Sequence, residues 1–252
     1  MMNEKDELKN SSKAWGYIGE YAGVSRFSAV INKKFKEQSA DAMVFPMNIR
    51  EDDLFFTVSN MKKSKVDGAV ISNEYVTHVV DILDSSSSMV QRSGMCDIIF
   101  KEGETLRGDI FCTRVLTEHL KDIGVAKIAI IGTNHHAKAF SFIACGFEIS
   151  FYNENLEELM AFTKEVELGN ADINRIATGM ELDFSSFDAV LDFSTLENFS
   201  MIQKLSSFNF DMKNSKEFSP LKKRCDELNV VYTSYDDLIE KFCDRAYSAI
   251  IK

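Results

Sequence analysis

The chain contains the stretch Ile128-Ala129-Ile130-Ile131-Gly132-Thr133-Asn134-His135-His136-Ala137-Lys138-Ala139. Its β-branched first half predicts a buried strand that runs directly into a helix. Dinucleotide-binding proteins place Gly-x-Gly-x-x-Gly at such a turn, because glycines let the backbone approach the pyrophosphate. Only Gly132 is present here. The stretch therefore predicts a Rossmann-like strand-turn-helix whose cofactor loop is altered.

Predicted strands and helices alternate on both sides of this stretch. Short apolar or β-branched runs predict strands at residues 15–18, 41–46, 67–72, 126–131, 148–152, 189–193, 208–211 and 230–232. Apolar residues at helical spacing predict helices at residues 28–38, 48–61, 78–83, 113–124, 221–228 and 236–250, and one through Phe140 and Cys145. Residues 98–101 and 105–108 predict a hairpin, and the serines at 85–88 predict a helix end and a loop.

This alternation predicts an α/β protein of two domains with a boundary near residue 113. The first domain comprises residues 1–112. The second, residues 113–235, is expected to be a Rossmann-like, doubly wound parallel sheet, because the strands at 126–131 and 148–152 have the spacing of a βαβ unit. Residues 236–252 are expected to form a C-terminal helix that returns toward the first domain.

The composition excludes several classes of protein. A hydrophobic content of 45% and a charged content of 27% are ordinary for a globular protein. A net charge of -10 disfavours nucleic acid and anionic membrane surfaces as partners, since both attract clusters of Lys and Arg. No apolar run is long enough to span a bilayer, and the N-terminal residues do not form a hydrophobic signal segment, which predicts a cytoplasmic location.

The five cysteines predict reduced thiols rather than a structural framework. Their number is odd and none forms a Cys-x-x-Cys pair, which argues against both disulfides and a zinc knuckle. His135 and His136 could ligate a metal, but no third ligand is evident, so no metal site is predicted. A solvated or helix-capping role is the favoured interpretation of this histidine pair.

Further segments fall in a recognisable order. They are Ile18-Gly19 with Ser25, Asn32 and Phe35; Ala42 to Met47 with Asp53-Leu54; Gly68 to Val76 with Leu83-Asp84; Gly94 to Ile98; and Gly108 to Cys112. Their order and spacing resemble the shikimate dehydrogenase family over most of the chain. In that family the first domain binds shikimate and the second binds NADP. The resemblance thus implies a substrate-binding-type first domain and an NAD(P)-binding-type second domain.

Several substrate and catalytic positions of the family carry other residues here. Ser25 and Ser72 match positions that contact substrate, and Asp97 stands where the family has an Asn, so the resemblance implies these three as ligand contacts. The catalytic Lys of the family falls on Val76 and its partner Asp on Cys112. Neither substitution keeps a carboxylate or amine for proton transfer. Shikimate oxidation by the family mechanism is therefore not expected. The candidates for a substitute acid or base are Tyr75, His78 and Cys112.

The cofactor positions also differ. Gly-Ala-Gly-Gly-Ala of the family becomes Gly132 to His136, whose side chains would crowd a pyrophosphate at the helix start. The Asn-Arg-Thr that reads the 2′-phosphate of NADP becomes Asn153-Glu154-Asn155, in which Glu154 repels phosphate but can accept from a ribose hydroxyl. We therefore expect either that no dinucleotide binds or that NAD(H) binds. NADP(H) is disfavoured. The candidate cofactor residues are Gly132, Thr133, Asn134, His135, Asn153 and Glu154.

These observations lead to competing functions. The first is a non-catalytic relative of the enzyme that holds a small metabolite, expected in the cleft between the domains, or a protein partner. The second is an NAD-dependent oxidoreductase that acts on a different hydroxy or oxo carboxylate with a substitute acid or base. A protein-interaction module is a third. The sequence is compatible with a monomer or a homodimer.

Overall fold

The computed structural model describes residues 12–168, 171–212 and 219–252. Two compact α/β units share these residues. The first unit runs as far as Val90 and also contains Cys96–Phe111 and Ile239–Lys252. The second unit contains Gln91–Met95 and Cys112–Leu238. Within the described ranges, no helix combines the length and the apolar character that crossing a bilayer requires.

The first unit is built on a mixed sheet. Its six described strands are β1 (Lys13–Gly19), β2 (Ala42–Asn48), β3 (Gly68–Ile71), β4 (Ser85–Ser86), β5 (Ile98–Glu102) and β6 (Thr105–Asp109). They lie in the order β2-β1-β3-β5-β6-β4, with β1 parallel to both of its neighbours. Helices α1 (Phe27–Glu37) and α2 (Glu51–Asn60) follow β1 and β2, and α3 (Ser88–Ser93) precedes β5.

The second unit has a parallel sheet. Its strands are β7 (Lys127–Ile131), β8 (Glu148–Asn153), β9 (Asp172–Arg175), β11 (Ala189–Asp192), β13 (Phe208–Asp211) and β14 (Tyr232–Ser234), and the short β10 (Leu182–Asp183) and β12 (Ile202–Lys204) pair separately. The order β9-β8-β7-β11-β13-β14 is the 3-2-1-4-5-6 order of a Rossmann fold. Helices α4 (Cys112–Asp122), α5 (His135–Ile143), α6 (Leu156–Glu165) and α7 (Pro220–Leu228) belong to this unit.

The C-terminal helix α8 (Ile239–Ile251) belongs to the first unit, where it packs against α1. Its buried face includes Phe242 and Cys243, and the Cys243 thiol lies 3.7 Å from the carbonyl oxygen of Phe27. The chain thus leaves the first unit after Phe111 and returns to it at Ile239.

The central strands form because their sequences are apolar on both faces. Ile128, Ala129, Ile130 and Ile131 of β7 are all essentially inaccessible to solvent. Such continuous runs are typical of parallel strands covered by helices on both sides. The strands predicted at 126–131, 148–152 and 189–193 and the hairpin of β5 and β6 are confirmed, and the α/β, Rossmann-like fold class is confirmed with them.

Some local predictions were wrong. The helix predicted at 78–83 is only a 3-10 turn at Val80–Ile82. The serine run includes strand β4 and the start of α3 instead of a loop. The last strand lies at Tyr232–Ser234 rather than 230–232. The apolar patterns at 78–83 and 230–232 were too short to distinguish neighbouring registers or helix types, and the serine run has no apolar pattern.

Candidate functional site

A cavity opens at the carboxyl edge of the second unit's sheet. The connection after β7 leads to β8 on one side and the connection after β11 leads to β13 on the other, so the strand order reverses between β7 and β11. Ligands of open α/β sheets bind at such switch points. The cavity has a volume of about 280 Å³ and is lined by residues 131–134, 152–155, 158 and 193–196. It therefore contains five of the six cofactor residues expected from the sequence.

Gly132 fixes the shape of the loop that begins this cavity. Its φ of +96° lies in the region that disfavours residues with a side chain. A Cβ placed there would lie 2.7 Å from both the Cα and the backbone nitrogen of Ser194. The loop after β7 and the loop after β11 therefore approach each other as closely as their backbones allow.

Asn134 caps helix α5. Its side-chain oxygen accepts a hydrogen bond of 3.0 Å from the backbone N–H of Ala137. This N–H is one of the donors that a helix start otherwise offers to a bound anion. The capping role expected for the histidines thus belongs to Asn134. His135 does not line the cavity, and its Nδ1 lies 2.7 Å from the carbonyl oxygen of Ser93.

A second set of contacts joins the loop after β7 to helix α6. The hydroxyl of Thr133 donates a hydrogen bond to Oε1 of Glu158. The amide of Asn153 donates to the Thr133 hydroxyl at 2.8 Å and lies 3.4 Å from the same Glu158 oxygen. Asn155 caps α6 by accepting from the N–H groups of Glu157 and Glu158. Helix α6 begins within the acidic run 154–158, and Glu158 has a further contact that the sequence did not indicate.

These residues fit the ribose of a dinucleotide but not its diphosphate. Glu154 follows β8, where Rossmann proteins place the acidic group that accepts from ribose hydroxyls. A diphosphate would instead meet the Glu158 carboxylate and a helix start capped by Asn134. Among the described residues that line the cavity, none is Lys or Arg. The cavity therefore suits a hydroxylated, uncharged ligand better than a diphosphate.

His136, beside this loop, is expected to make folding sensitive to acid. Desolvation of the imidazole and the adjacent His135 lower the pKa of His136 from 6.5 to about 4. The unfolded chain then binds more protons between these values, so stability is fully present above pH 6.5 and falls as the pH decreases toward 4. We expect the melting temperature of His136→Gln to fall less between pH 7 and pH 5 than that of the unsubstituted protein. Equal falls in thermal scans of the two proteins would contradict this.

The first unit has its own switch point, between β1 and β3. The connection after β1 leads to β2, whereas the connection after β3 leads toward β5 on the other side. Tyr17 lies in β1 and is 7% exposed; burial raises the pKa of its hydroxyl, and hydrogen bonds from Ser25 and Ser72 oppose that increase. The Ser72 hydroxyl donates to Glu74 Oε2, and Glu74 Oε1 accepts from the backbone N–H of Glu20 at 3.0 Å. The structure thus brings Ser25 and Ser72 together through Tyr17.

The two substitute acid or base candidates near this switch point have other partners. Tyr75 is buried, and its hydroxyl donates to the carbonyl oxygen of Ile49 at 2.8 Å. His78 is exposed, with Nε2 3.4 Å from a carboxylate oxygen of Glu51. The rings of Tyr75 and His78 meet edge to face. Both side chains are therefore accounted for by local contacts.

The remaining predicted positions are buried. Val76 is 3% exposed and Cys112, at the start of α4, is 4% exposed, with its sulfur 3.7 Å from the Thr113 hydroxyl. A carboxylate oxygen of Asp97 accepts from the backbone N–H of Phe111 at 2.8 Å. Asp97 thus holds the end of the β5–β6 hairpin, a structural contact that a sequence position cannot reveal.

Sequence reasoning missed three residues of these sites: Tyr17, Glu74 and Glu158. Tyr17 is the third of the four residues in the strand predicted at 15–18, a position that places a side chain near the carboxyl edge of a sheet. Glu158 belongs to an acidic run at a helix start, a pattern that is more often solvated. The tertiary contacts with Thr133 and Asn153 distinguish it from Glu157.

No protein-family model and no curated protein sequence matches this chain. Solved structures do match. An Ael1 enzyme from Pseudomonas putida is 12% identical, with a TM-score of 0.78 over 94% of this chain and 93% of that chain. A shikimate dehydrogenase in complex with NADP+ is 16% identical, with a TM-score of 0.72 over 97% and 96% of the two chains. The ligand-free 5-ketofructose reductase of Gluconobacter sp. strain CHM43 is 14% identical, with a TM-score of 0.72 over 95% and 92%.

At these identities the likeness concerns the fold. It extends over nearly the whole length of each chain, and it includes the mixed sheet of the first unit as well as the Rossmann order of the second. The chain therefore has the α/β fold of the shikimate dehydrogenases.

Proposed function

We propose that this protein is a non-catalytic protein with the shikimate dehydrogenase fold that binds a small hydroxylated metabolite. The observation that carries the proposal is the set of contacts made by the loop that follows β7 in the second unit. There, the Thr133 hydroxyl is bound to Glu158 and Asn134 caps α5, where a hydride-carrying cofactor would need open backbone donors. A dehydrogenase without a seated dinucleotide has no hydride donor or acceptor.

The first unit supports the same conclusion. Oxidation of a hydroxyl needs a side chain that can take its proton at the reacting oxygen. Val76 cannot, and the Cys112 thiol is buried beside Thr113. The Tyr75 hydroxyl donates a hydrogen bond to the backbone carbonyl of Ile49. What remains near the β1–β3 switch point is a group of hydroxyls and a carboxylate, which can bind a ligand without transforming it.

One observation favours a second candidate, an NAD-dependent oxidoreductase. Glu154 occupies the position that accepts from ribose hydroxyls, and a 2′-phosphate there would be repelled. The similar shikimate dehydrogenase was solved with NADP+, so the fold itself accommodates a dinucleotide. In this candidate, NAD would bind despite the altered loop, and one of Tyr75, His78 or Cys112 would transfer the proton.

Calorimetric titration with NADH and NADPH distinguishes the two candidates. We expect neither dinucleotide to bind at concentrations up to millimolar, because the Glu158 carboxylate is held at the loop and Asn134 occupies the N–H of Ala137. Shikimate is also expected to give no heat, since the Glu74 carboxylate beside Ser72 would repel its carboxylate. A shikimate dehydrogenase titrated in the same buffer is the positive control. Micromolar binding of NADH would overturn the non-catalytic proposal and favour the oxidoreductase.

A further inference from the structure

We infer that helix α2 of the first unit pairs with the α2 helix of a second copy of this chain, antiparallel and about a two-fold axis. This inference goes beyond the proposed function and does not depend on it. The 3-10 turn Met61–Lys63 follows α2 directly and continues its helical backbone, so the pairing segment comprises residues 51–63.

Helix α2 has a buried face and an exposed apolar face. Leu54 and Val58 are at most 2% exposed and lie on the buried face. Phe55 and Phe56 are 67% and 72% exposed. Two adjacent aromatic rings on one exposed face are more than the scattered apolar residues of an ordinary surface. They indicate contact with another apolar surface, because burying an aromatic ring is strongly favourable.

Charges of opposite sign lie at the two ends of this exposed face. At about 100° per residue, Asp52 and Lys63 lie on the same side of the helix as the two phenylalanines. Both side chains are exposed, and within the part of the chain that the structure describes neither takes part in an ion pair or a hydrogen bond. The face thus carries a negative charge near its start, two rings in its middle and a positive charge at its end.

An antiparallel pair matches this face to itself. A two-fold axis midway between residues 52 and 63 places Asp52 of each copy opposite Lys63 of the other. The two Phe56 residues then lie about 4.5 Å apart along the helix direction, so their rings meet at the axis. A parallel pair would instead place like charges opposite each other at both ends. The charges therefore favour the antiparallel arrangement.

The same charges favour a second copy over a membrane surface. The first turn of α2 carries Glu51, Asp52 and Asp53, which anionic lipid headgroups repel. A pair of single helices buries less than the roughly 800 Å² per partner of a standard interface, so we expect a reversible dimer with a dissociation constant of about 10 to 100 µM.

Sedimentation velocity of the full chain, from micromolar to submillimolar concentration, tests the pairing. We expect the average mass to rise with concentration toward twice that of the monomer. Phe56→Ser should weaken the dimer by about tenfold or more, because it removes both rings at the axis. Val24→Ser is the matched control: Val24 is 71% exposed in the same unit but lies outside α2, and its substitution should leave the dissociation constant unchanged.

Charge reversals test the direction of the pair. Asp52→Lys or Lys63→Asp alone turns both attractions into repulsions and should weaken the dimer about fivefold to tenfold at low salt. An equimolar mixture of these two variants should associate about as tightly as the unsubstituted protein, because opposite charges then face each other at both ends. Thermal scans check that every variant is folded.

Each contrary result overturns a stated part of the inference. A mass that stays at the monomer value over the whole range would overturn the pairing itself. A dimer that Phe56→Ser leaves intact would do the same, since its interface would lie elsewhere. A dimer that Phe56→Ser disrupts but that neither charge reversal weakens would overturn the antiparallel arrangement. The dinucleotide titrations that test the proposed function are independent of all three results.

Discussion

Gly132→Ala is expected to destabilise the second unit by about 3 to 5 kcal/mol. Two costs add at this position. The φ of +96° strains any residue with a Cβ, and that Cβ would lie 2.7 Å from the backbone of Ser194 and 2.8 Å from the carbonyl carbon of Phe193. Backbone atoms cannot move aside as the end of a flexible side chain can. Relief would require β7 and β11 to separate in the centre of the sheet.

Gly146→Ala provides a matched control for this prediction. Gly146 has the same φ of +96°, but no atom lies within 4 Å of a Cβ built on it. Only the backbone strain should therefore count, at about 1 to 2 kcal/mol. Hydrogen exchange of the β7 amides would measure the stability of the second unit in each variant. Thermal scans would measure the stability of the whole protein for comparison. Equal losses in the two proteins would show that the close approach to Ser194 has no energetic weight.

Much of the fold could be predicted from the sequence because its central strands are unambiguous. The runs at β7 and β11 are apolar on both faces, and such runs have few alternatives in a chain of this length. Strand β9 could not be predicted. Its residues Asp172 to Arg175 are mostly exposed and polar, and they form a strand because the backbone pairs with β8.

The candidate site could be predicted in position but not in chemistry. Gly132, Asn153 and Glu154 follow predicted strands of one parallel sheet, so their meeting at its carboxyl edge follows from topology alone. The bond between Thr133 and Glu158 joins residues 25 positions apart, and its formation depends on how α6 leaves β8. No periodicity in the sequence encodes that direction.

Rebuilding the glycine loop is expected to have the largest effect on binding. The variant Thr133→Ala, Asn134→Gly, His135→Gly, His136→Ala restores the pattern Gly-Ala-Gly-Gly-Ala after β7. It removes the hydroxyl that holds Glu158 and opens the N–H of Ala137 to a ligand. We expect NADH affinity to rise by about 100-fold, the equivalent of one or two hydrogen bonds to a charged group. Calorimetry and the emission of bound NADH would measure it.

Asn155→Gly is the control for the rebuilt loop, since it removes an equivalent cap from α6 at a modest cost in stability and should not create NADH binding. A folded loop variant that still failed to bind NADH would show that the loop is not the barrier.

The effects of the loop and of Glu158 on NADH affinity should also be coupled. Thr133 is part of the loop, and its hydroxyl donates to the Glu158 carboxylate. Freed from Thr133, Glu158 can turn into solvent, so Glu158→Gln should gain less NADH affinity in the rebuilt loop than in a version of that loop that keeps Thr133. Full additivity would mean that Glu158 acts through its charge alone, wherever its side chain lies. A clear shortfall would show that Thr133 is what holds that charge against an incoming phosphate.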